Sequence, residues 1–97
     1  MFARISTFKG KPEEVDKGIS VVKEQVLPKL RSIKGFKGFS FLVDRKSGKT
    51  IGITYWDTEQ DLKASEESAN KIRTDTAKSA NEEIVSVERF EVPIDEY

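Results

Sequence analysis

Two β-rich runs, Phe36–Asp44 and Thr50–Trp56, are separated by Arg45-Lys46-Ser47-Gly48-Lys49, a short turn containing Ser-Gly. Such a pair reads as a β-hairpin. Side chains alternate faces along a strand, so each parity of the hairpin is one face of a sheet. Phe39, Phe41 and Val43 share one parity and Leu42 takes the other, while the return strand carries Ile51, Ile53 and then Tyr55 or Trp56. Large apolar groups therefore fall on both faces. A sheet wet on one side alternates apolar with polar residues, and this one does not. One face calls for the chain's own helices. The other calls for a partner, for which a second copy of the same chain is the simplest source. A one-residue change in turn length swaps the facing of Tyr55 and Trp56, and the sequence leaves that choice open.

The flanking segments supply the helices. Met1–Phe8 is short and rich in β-formers, and it ends at Lys9-Gly10-Lys11-Pro12. Pro12 suits a first helical position, with Glu13 and Glu14 in the first turn where the helix dipole favours negative charge. Val15, Ile19, Val22, Val26, Leu30 and Ile33 follow with the spacing of one helix face. Pro28 lies inside this stripe, lacks a backbone donor and crowds the carbonyl of Glu24, so a kink or break is expected near Gln25 to Leu27. Gly35 is placed as a left-handed cap. After the hairpin, Asp57 or Thr58 caps a second helix, answered by Gln60 or Asp61, that runs from about Glu59 towards Ala80, with room for a break. Its inner stripe, Leu62, Ser65, Ala69, Ile72, Thr76 and Ala80, is made mostly of small residues. Ile84–Val92 forms the last strand, closed by Pro93. The order βαββαβ predicts an α+β fold, a ferredoxin-like antiparallel sheet with both helices on one face, over a single domain 1–97.

Several functions lose their chemistry at the level of composition. The chain has no cysteine and no histidine. That removes thiolate catalysis, the usual general base near neutral pH, the usual haem ligand and the commonest zinc ligands, so neither metal nor cofactor is expected. Lys plus Arg balances Asp plus Glu at 17 each, which gives no global field for nucleic acid or an anionic membrane. No apolar run of signal or membrane length is present at the start, and a cytoplasmic address is the default expectation. Lys37-Gly38-Phe39-Ser40-Phe41-Leu42-Val43 is similar to an RNA-binding signature, but it follows the first helix rather than sitting on a third strand. Asp57-Thr58-Glu59-Gln60-Asp61 imitates the start of a calcium loop; Leu62 stands where the loop needs Gly and Ser68 where it needs Glu, so it reads as a capped helix start.

Leu27-Pro28-Lys29-Leu30, Gly35-Phe36-Lys37-Gly38-Phe39, Tyr55-Trp56-Asp57-Thr58-Glu59-Gln60-Asp61-Leu62 and the closing Val87-Glu88-Arg89-Phe90-Glu91-Val92 together resemble the antibiotic-biosynthesis-monooxygenase-like family. The resemblance covers almost the whole chain and implies a dimeric α/β barrel. In that arrangement two sheets face each other, and each subunit keeps a pocket between its sheet and its helices. It also implies two candidate activities, cofactor-free oxygenation of phenols or quinols and oxidative haem degradation. Trp56 falls where the family often has a strand-three tryptophan facing the pocket. The haem-degrading members use an Asn on strand one, where this chain offers only Ser6 or Thr7, and a His on the second helix, where it has Glu66 and Glu67. Haem degradation by that arrangement is not expected. The phenol oxygenases pair the tryptophan with an Asn that is replaced here by Gly52.

Trp56, Phe39 and Phe41 are the aromatic candidates for lining a pocket, each with plain core packing as the competing reading. The small-residue stripe of the second helix hints at a cavity, because Ser65, Ala69 and Thr76 leave space, although small residues also let a helix lie closer to a sheet. Arg4, Arg73 and Asn70 are the polar groups suited to orient a phenolate or carboxylate there, with Ser6 beside them. The expectation is a homodimer joined through the sheet face. Its small apolar pocket would take an apolar or aromatic molecule, with cofactor-independent oxygenation as the implied activity. The alternative is a non-catalytic ligand-binding or structural dimer, in which the interior around Trp56 is packed solid.

Overall fold

The computed structural model describes all residues, 1–97. Four strands, β1 (Phe2–Lys9), β2 (Phe36–Val43), β3 (Lys49–Trp56) and β4 (Glu83–Glu91), form one antiparallel sheet in the order β2-β3-β1-β4. Helical segments fill both crossovers, giving the ferredoxin-like arrangement.

The first crossover enters through a tight turn at Pro12–Glu14 and continues as α1 (Val15–Val21), a widened π turn (Val22–Val26) and α2 (Leu27–Arg31). Leu27 N–H donates to Val22 O, five residues back. Pro28 explains the widening: it has no N–H to give, and its ring would crowd the Glu24 carbonyl in a regular helix. The expected kink is thus realised as a π turn, with helical backbone running through it. Val22, Val26 and Leu30 remain stacked on one face as the core, packed against Leu27, Ile33, Phe36, Phe39, Phe41 and Ile72.

The second crossover is two helices, α3 (Glu59–Ala64) and α4 (Glu66–Ser79), joined at Ser65. Thr58 caps α3 by accepting from the Asp61 N–H at 3.0 Å. At the far end, Asn81 adopts a left-handed conformation with φ 56°. The Glu82 N–H then reaches back to Ala77 O at 2.8 Å, a Schellman closure that turns the chain directly into β4.

The hairpin loop is Asp44–Gly48, one residue earlier than the composition suggested, because Lys49 already belongs to β3. Gly48 N–H donates to Asp44 O at 2.9 Å and Gly48 sits at φ 81°. A β-carbon there would collide with the carbonyl of Gly10, whose N–H donates to Gly48 O at 3.1 Å. The register settles the open facing. Phe36 pairs with Trp56, Phe39 with Thr54 and Phe41 with Gly52, after an irregularity between Phe36 and Gly38. Trp56 and the phenylalanines therefore face the helices, and Tyr55 faces away.

That outward face carries Ala3, Ile5, Ile51, Ile53, Tyr55, Leu42 and Phe90, as the pairings Ala3–Tyr55, Ile5–Ile53 and Ala3–Phe90 require. Leu42 and Phe90 are 46% and 48% exposed. No helix is long and apolar enough to cross a membrane.

Candidate functional site

Between the sheet and the helices lies a partly open, predominantly apolar cavity of about 60 Å³. At roughly 10–15 Å³ of such space per water, it has room for about four to six waters, which is the bulk of a single ring. The walls follow from the register. Arg4, Ser6 and Phe8 project from alternate positions of β1, Phe39 and Phe41 from β2, and Gly52 and Thr54 from β3. Val22, Val26 and Leu30 close one side, and Ala69, Ile72, Arg73 and Thr76 of α4 close the other, with Glu82 at one end. The small stripe of the second helix does frame space. Ala69 and Thr76 leave the void where larger side chains would fill it, and Gly52 removes a side chain from the floor.

Phe39, Phe41, Arg4, Ser6 and Arg73 are thus brought together in the cavity wall. Two other candidates are not. Asn70 stands outside and accepts a hydrogen bond from Arg73 Nη2 at 3.1 Å. Trp56 has no exposed surface and does not reach the cavity. Its ring packs edge-on against Phe36, with centroids 5.9 Å apart, and lies under the Arg4 guanidinium at 5.6 Å. Its indole N–H donates to Thr54 Oγ1 at 2.9 Å. Those contacts satisfy the one polar group of a tryptophan and make Trp56 a platform beneath Arg4. Phe39 and Phe41 stack on each other at 6.3 Å with planes 12° apart, on the helix side. They offer no open sheet platform of the kind that RNA bases stack on.

Arg4 is the unusual group. Its side chain is 2% exposed, and all its hydrogen bonds leave from one nitrogen. Nη2 donates to Leu62 O at 2.8 Å, to Ser65 Oγ at 3.0 Å and to Glu66 at 2.9 Å. Nε and Nη1 are buried without a partner. A buried donor left unmade costs about 1–3 kcal/mol, more when charged, so two on one guanidinium are expensive unless something else occupies them.

The charges around it are unbalanced. Glu66 sits between Arg4 and Arg89, taking both Arg89 Nε and Nη2 at 2.7 Å. Hydrogen bonding from Arg89, then from Arg4, holds the Glu66 carboxyl down at about 2, against 4.5 ordinarily. Arg73, 8% exposed, has no carboxylate partner. Burial first, then repulsion from Arg4 and Arg89, lowers its guanidinium below the ordinary arginine value. Two cations thus share Glu66 at this end, and a third, Arg73, lies near them without a carboxylate of its own. Glu82, at the other end, was invisible to sequence pattern; Thr50 Oγ1, 1% exposed as a residue, donates to its Oε2 at 2.9 Å. Burial raises the Glu82 carboxyl above the ordinary value, and the Thr50 hydrogen bond opposes that in part. No cluster of carboxylates or other ligating side chains suited to a metal is present.

The ferredoxin-like sheet with its cavity between sheet and helices has the fold of the antibiotic biosynthesis monooxygenases, as superposition shows. No protein-family model matches the chain. It superposes on a Deinococcus radiodurans protein assigned to the antibiotic biosynthesis monooxygenases with a TM-score of 0.73, at 13% identity, over 100% of this chain and 97% of that one. SnoaB, a cofactor-independent oxygenase from Streptomyces nogalater, matches with a TM-score of 0.67 at 14% identity, over 97% and 94% of the two chains. A monooxygenase from the ActVA-Orf6 gene of Streptomyces coelicolor, solved with nanaomycin D, gives 0.67 at 16% identity, over 99% and 89%. In sequence, the chain is 41% identical over 73 residues to the uncharacterized protein Rv2558 of Mycobacterium tuberculosis, and 38% identical over 73 residues to Rv2557 of the same organism. Those 73 residues are 75% of this chain and 31% and 33% of the relatives, so the chain spans about a third of their length.

Proposed function

We propose that the chain is a member of the antibiotic-biosynthesis-monooxygenase-like family that works in the cytoplasm as a homodimer. Each subunit takes a small aromatic or quinol-type molecule as its anion and oxygenates it without a cofactor. One observation carries the binding part of this reading: a fully buried guanidinium with two unpartnered nitrogens, Arg4 Nε and Nη1, on the wall of an apolar cavity. An anion in the cavity would offset the excess of Arg4, Arg73 and Arg89 over Glu66, and a turn of the Arg4 side chain would bring its unpartnered donors to it. A low-dielectric wall strengthens that attraction.

Holding a phenol or quinol as its anion is also what cofactor-free oxygenation asks of a protein. The electron-rich anion reacts with oxygen itself, keeping one oxygen atom and giving up two electrons and two hydrogens so that the other atom leaves as water. The chain has to orient it, exclude bulk water and favour loss of its proton. Arg4 and Arg73 would lower the cost of the negative charge, Phe39, Phe41 and Ile72 would exclude water, and Thr54 and Ser6 are the hydroxyls within the wall. The cavity admits a single ring rather than a fused polycycle. The dimer reading rests on the outward face: a continuous strip of Ile5, Ile51, Ile53, Tyr55, Leu42 and Phe90 is the kind of surface that monomers seldom leave wet.

A second reading, a binding protein without catalysis, is favoured by the position of Trp56. The one tryptophan is packed as a platform beneath Arg4 and does not line the cavity. Oxygen uptake and product mass, measured over a panel of single-ring phenols and quinols with wild type and Arg4→Met, separate the two. Uptake that yields a product with one oxygen atom gained and two hydrogens lost, and that Arg4→Met abolishes, supports the oxygenase. Saturable binding without turnover across the panel supports the binder, and absence of both removes the anion pocket.

A further inference from the structure

We infer that the cavity selects a single-ring molecule carrying an anionic group at one end and a hydroxyl at the other, with Glu82 receiving the hydroxyl. The inference rests on the reading of Arg4 as the anion's anchor and adds a second polar contact to it.

The two ends are fixed by the sheet. Arg4 pairs across β1–β3 with Thr54, and Phe8 pairs with Thr50, so Thr50 and its partner Glu82 stand at the Phe8 end. Four residues of strand separate these ends, about 13 Å between backbone positions at about 3.3 Å per residue. Arg4 and Glu82 both line the cavity, together with Phe39, Phe41 and Ile72, and its volume of about 60 Å³ suits one ring.

Glu82 is set there by three independent features. The left-handed turn at Asn81 swings it off the end of α4. Thr50 holds one carboxyl oxygen. Two glycines clear its path: a β-carbon on Gly18 would stand 2.9 Å from Glu82 Oε1, and one on Gly10 would stand 3.0 Å from Glu82 Cγ. Gly18 lies within α1, where glycine costs about 1 kcal/mol relative to alanine. The space it leaves is taken up by this carboxylate. No lysine or arginine pairs with Glu82, although it lines an apolar cavity. A carboxylate kept in such a place without a cation is a costly structural element. As an acceptor for a ligand hydroxyl it has a use, because a buried site built to hydrogen-bond a hydroxyl rejects the analogue that lacks it.

The test is calorimetric titration of the intact protein at pH 7 with 4-hydroxybenzoate and 4-methylbenzoate, the second matching the first in size and carboxylate but lacking the hydroxyl. In wild type, 4-hydroxybenzoate should bind at least about tenfold more tightly than 4-methylbenzoate, the worth of one charge-assisted hydrogen bond. Glu82→Met should reduce the preference to within about twofold while 4-methylbenzoate binding persists. Thr50→Val, which frees the carboxylate from its holder, should weaken the preference in the same direction. Equal wild-type affinities for the hydroxyl and methyl compounds would overturn the role of Glu82 and leave the Arg4 anchor standing. A failure of every compound to bind wild type would overturn both.

Discussion

Glu66→Gln keeps the shape of a side chain that lies between two guanidinium groups and removes its charge. Arg4 Nη2 reaches Glu66 at 2.9 Å, and Arg89 grips it with two nitrogens at 2.7 Å. Those contacts hold the carboxyl at about 2 in the folded chain, against 4.5 when unperturbed. A depressed carboxyl contributes stability that is complete above the unfolded value. That contribution disappears as pH falls from about 4.5 towards about 2. The full linkage at about 1.36 kcal/mol per pH unit is roughly 3 kcal/mol. Glu66 is 35% exposed, so solvent screening brings the expected contribution down to about 1–2 kcal/mol. In a domain of this size each kcal/mol moves the Tm by about 4–8 °C, so Glu66→Gln should melt about 5–15 °C lower at pH 7. Thermal unfolding followed by circular dichroism between pH 7 and pH 2.5 measures it. The gap between variant and wild type should narrow below pH 4.5 and close as Glu66 itself becomes neutral. A gap that is absent at pH 7, or that stays constant to pH 2.5, refutes the account of this cluster. A second readout separates function from stability: with its counter-charge gone, the Arg4 end should bind benzoate more tightly although the fold is weaker.

Glu82→Gln should behave in the opposite sense. The folded carboxyl is raised, so its contribution to stability is present below the unfolded value of 4.5 and is lost as pH rises through the folded value. The variant, which keeps an acceptor for Thr50, should therefore melt above wild type at pH 7 and match it near pH 4; a lower Tm at pH 7 contradicts the reading. Gly48→Ala forces a left-handed residue and drives its β-carbon into the Gly10 carbonyl. Chemical denaturation should show a loss of about 2–3 kcal/mol, and an unchanged midpoint would mean that the turn can reshape. Ile53→Glu, in the middle of the outward sheet face, should give a folded single subunit in analytical ultracentrifugation where wild type sediments as a pair. A wild type that sediments as a single subunit at micromolar concentration removes the dimer.

The fold could be read from the chain because its signals are local and agree with one another. The first helix's apolar stripe, Pro12 at its entry, Gly35 at its exit and the two-faced hairpin all point to one topology. Pro28 announced a disturbance but not its form, since a break and a π turn differ only in how neighbouring carbonyls find partners. The direction in which Trp56 points was unreadable for a similar reason: it depends on an irregularity at Lys37 and on where a five-residue loop begins. Arg4, Ser6, Phe39, Phe41 and Arg73 could be nominated by type and parity. Glu82 could not, because nothing about a glutamate between a helix and a strand distinguishes it from the many solvated carboxylates of this chain. The signal that existed was indirect. Gly18, interrupting an otherwise well-formed helix, and Asn81, able to take a left-handed turn, marked the space and the pivot that bring Glu82 inward.

Everything proposed for the cavity depends on Arg4 having two buried donors to give. The guanidinium Nε–H resonance of Arg4, followed by ¹⁵N NMR while benzoate is added, reports on one of those donors directly. It should shift saturably with benzoate and remain still with benzyl alcohol, which has the same ring and no charge. Saturation that moves only the resonances of exposed arginines, with Arg4 unmoved, would place the anion on the surface and leave the cavity without its ligand.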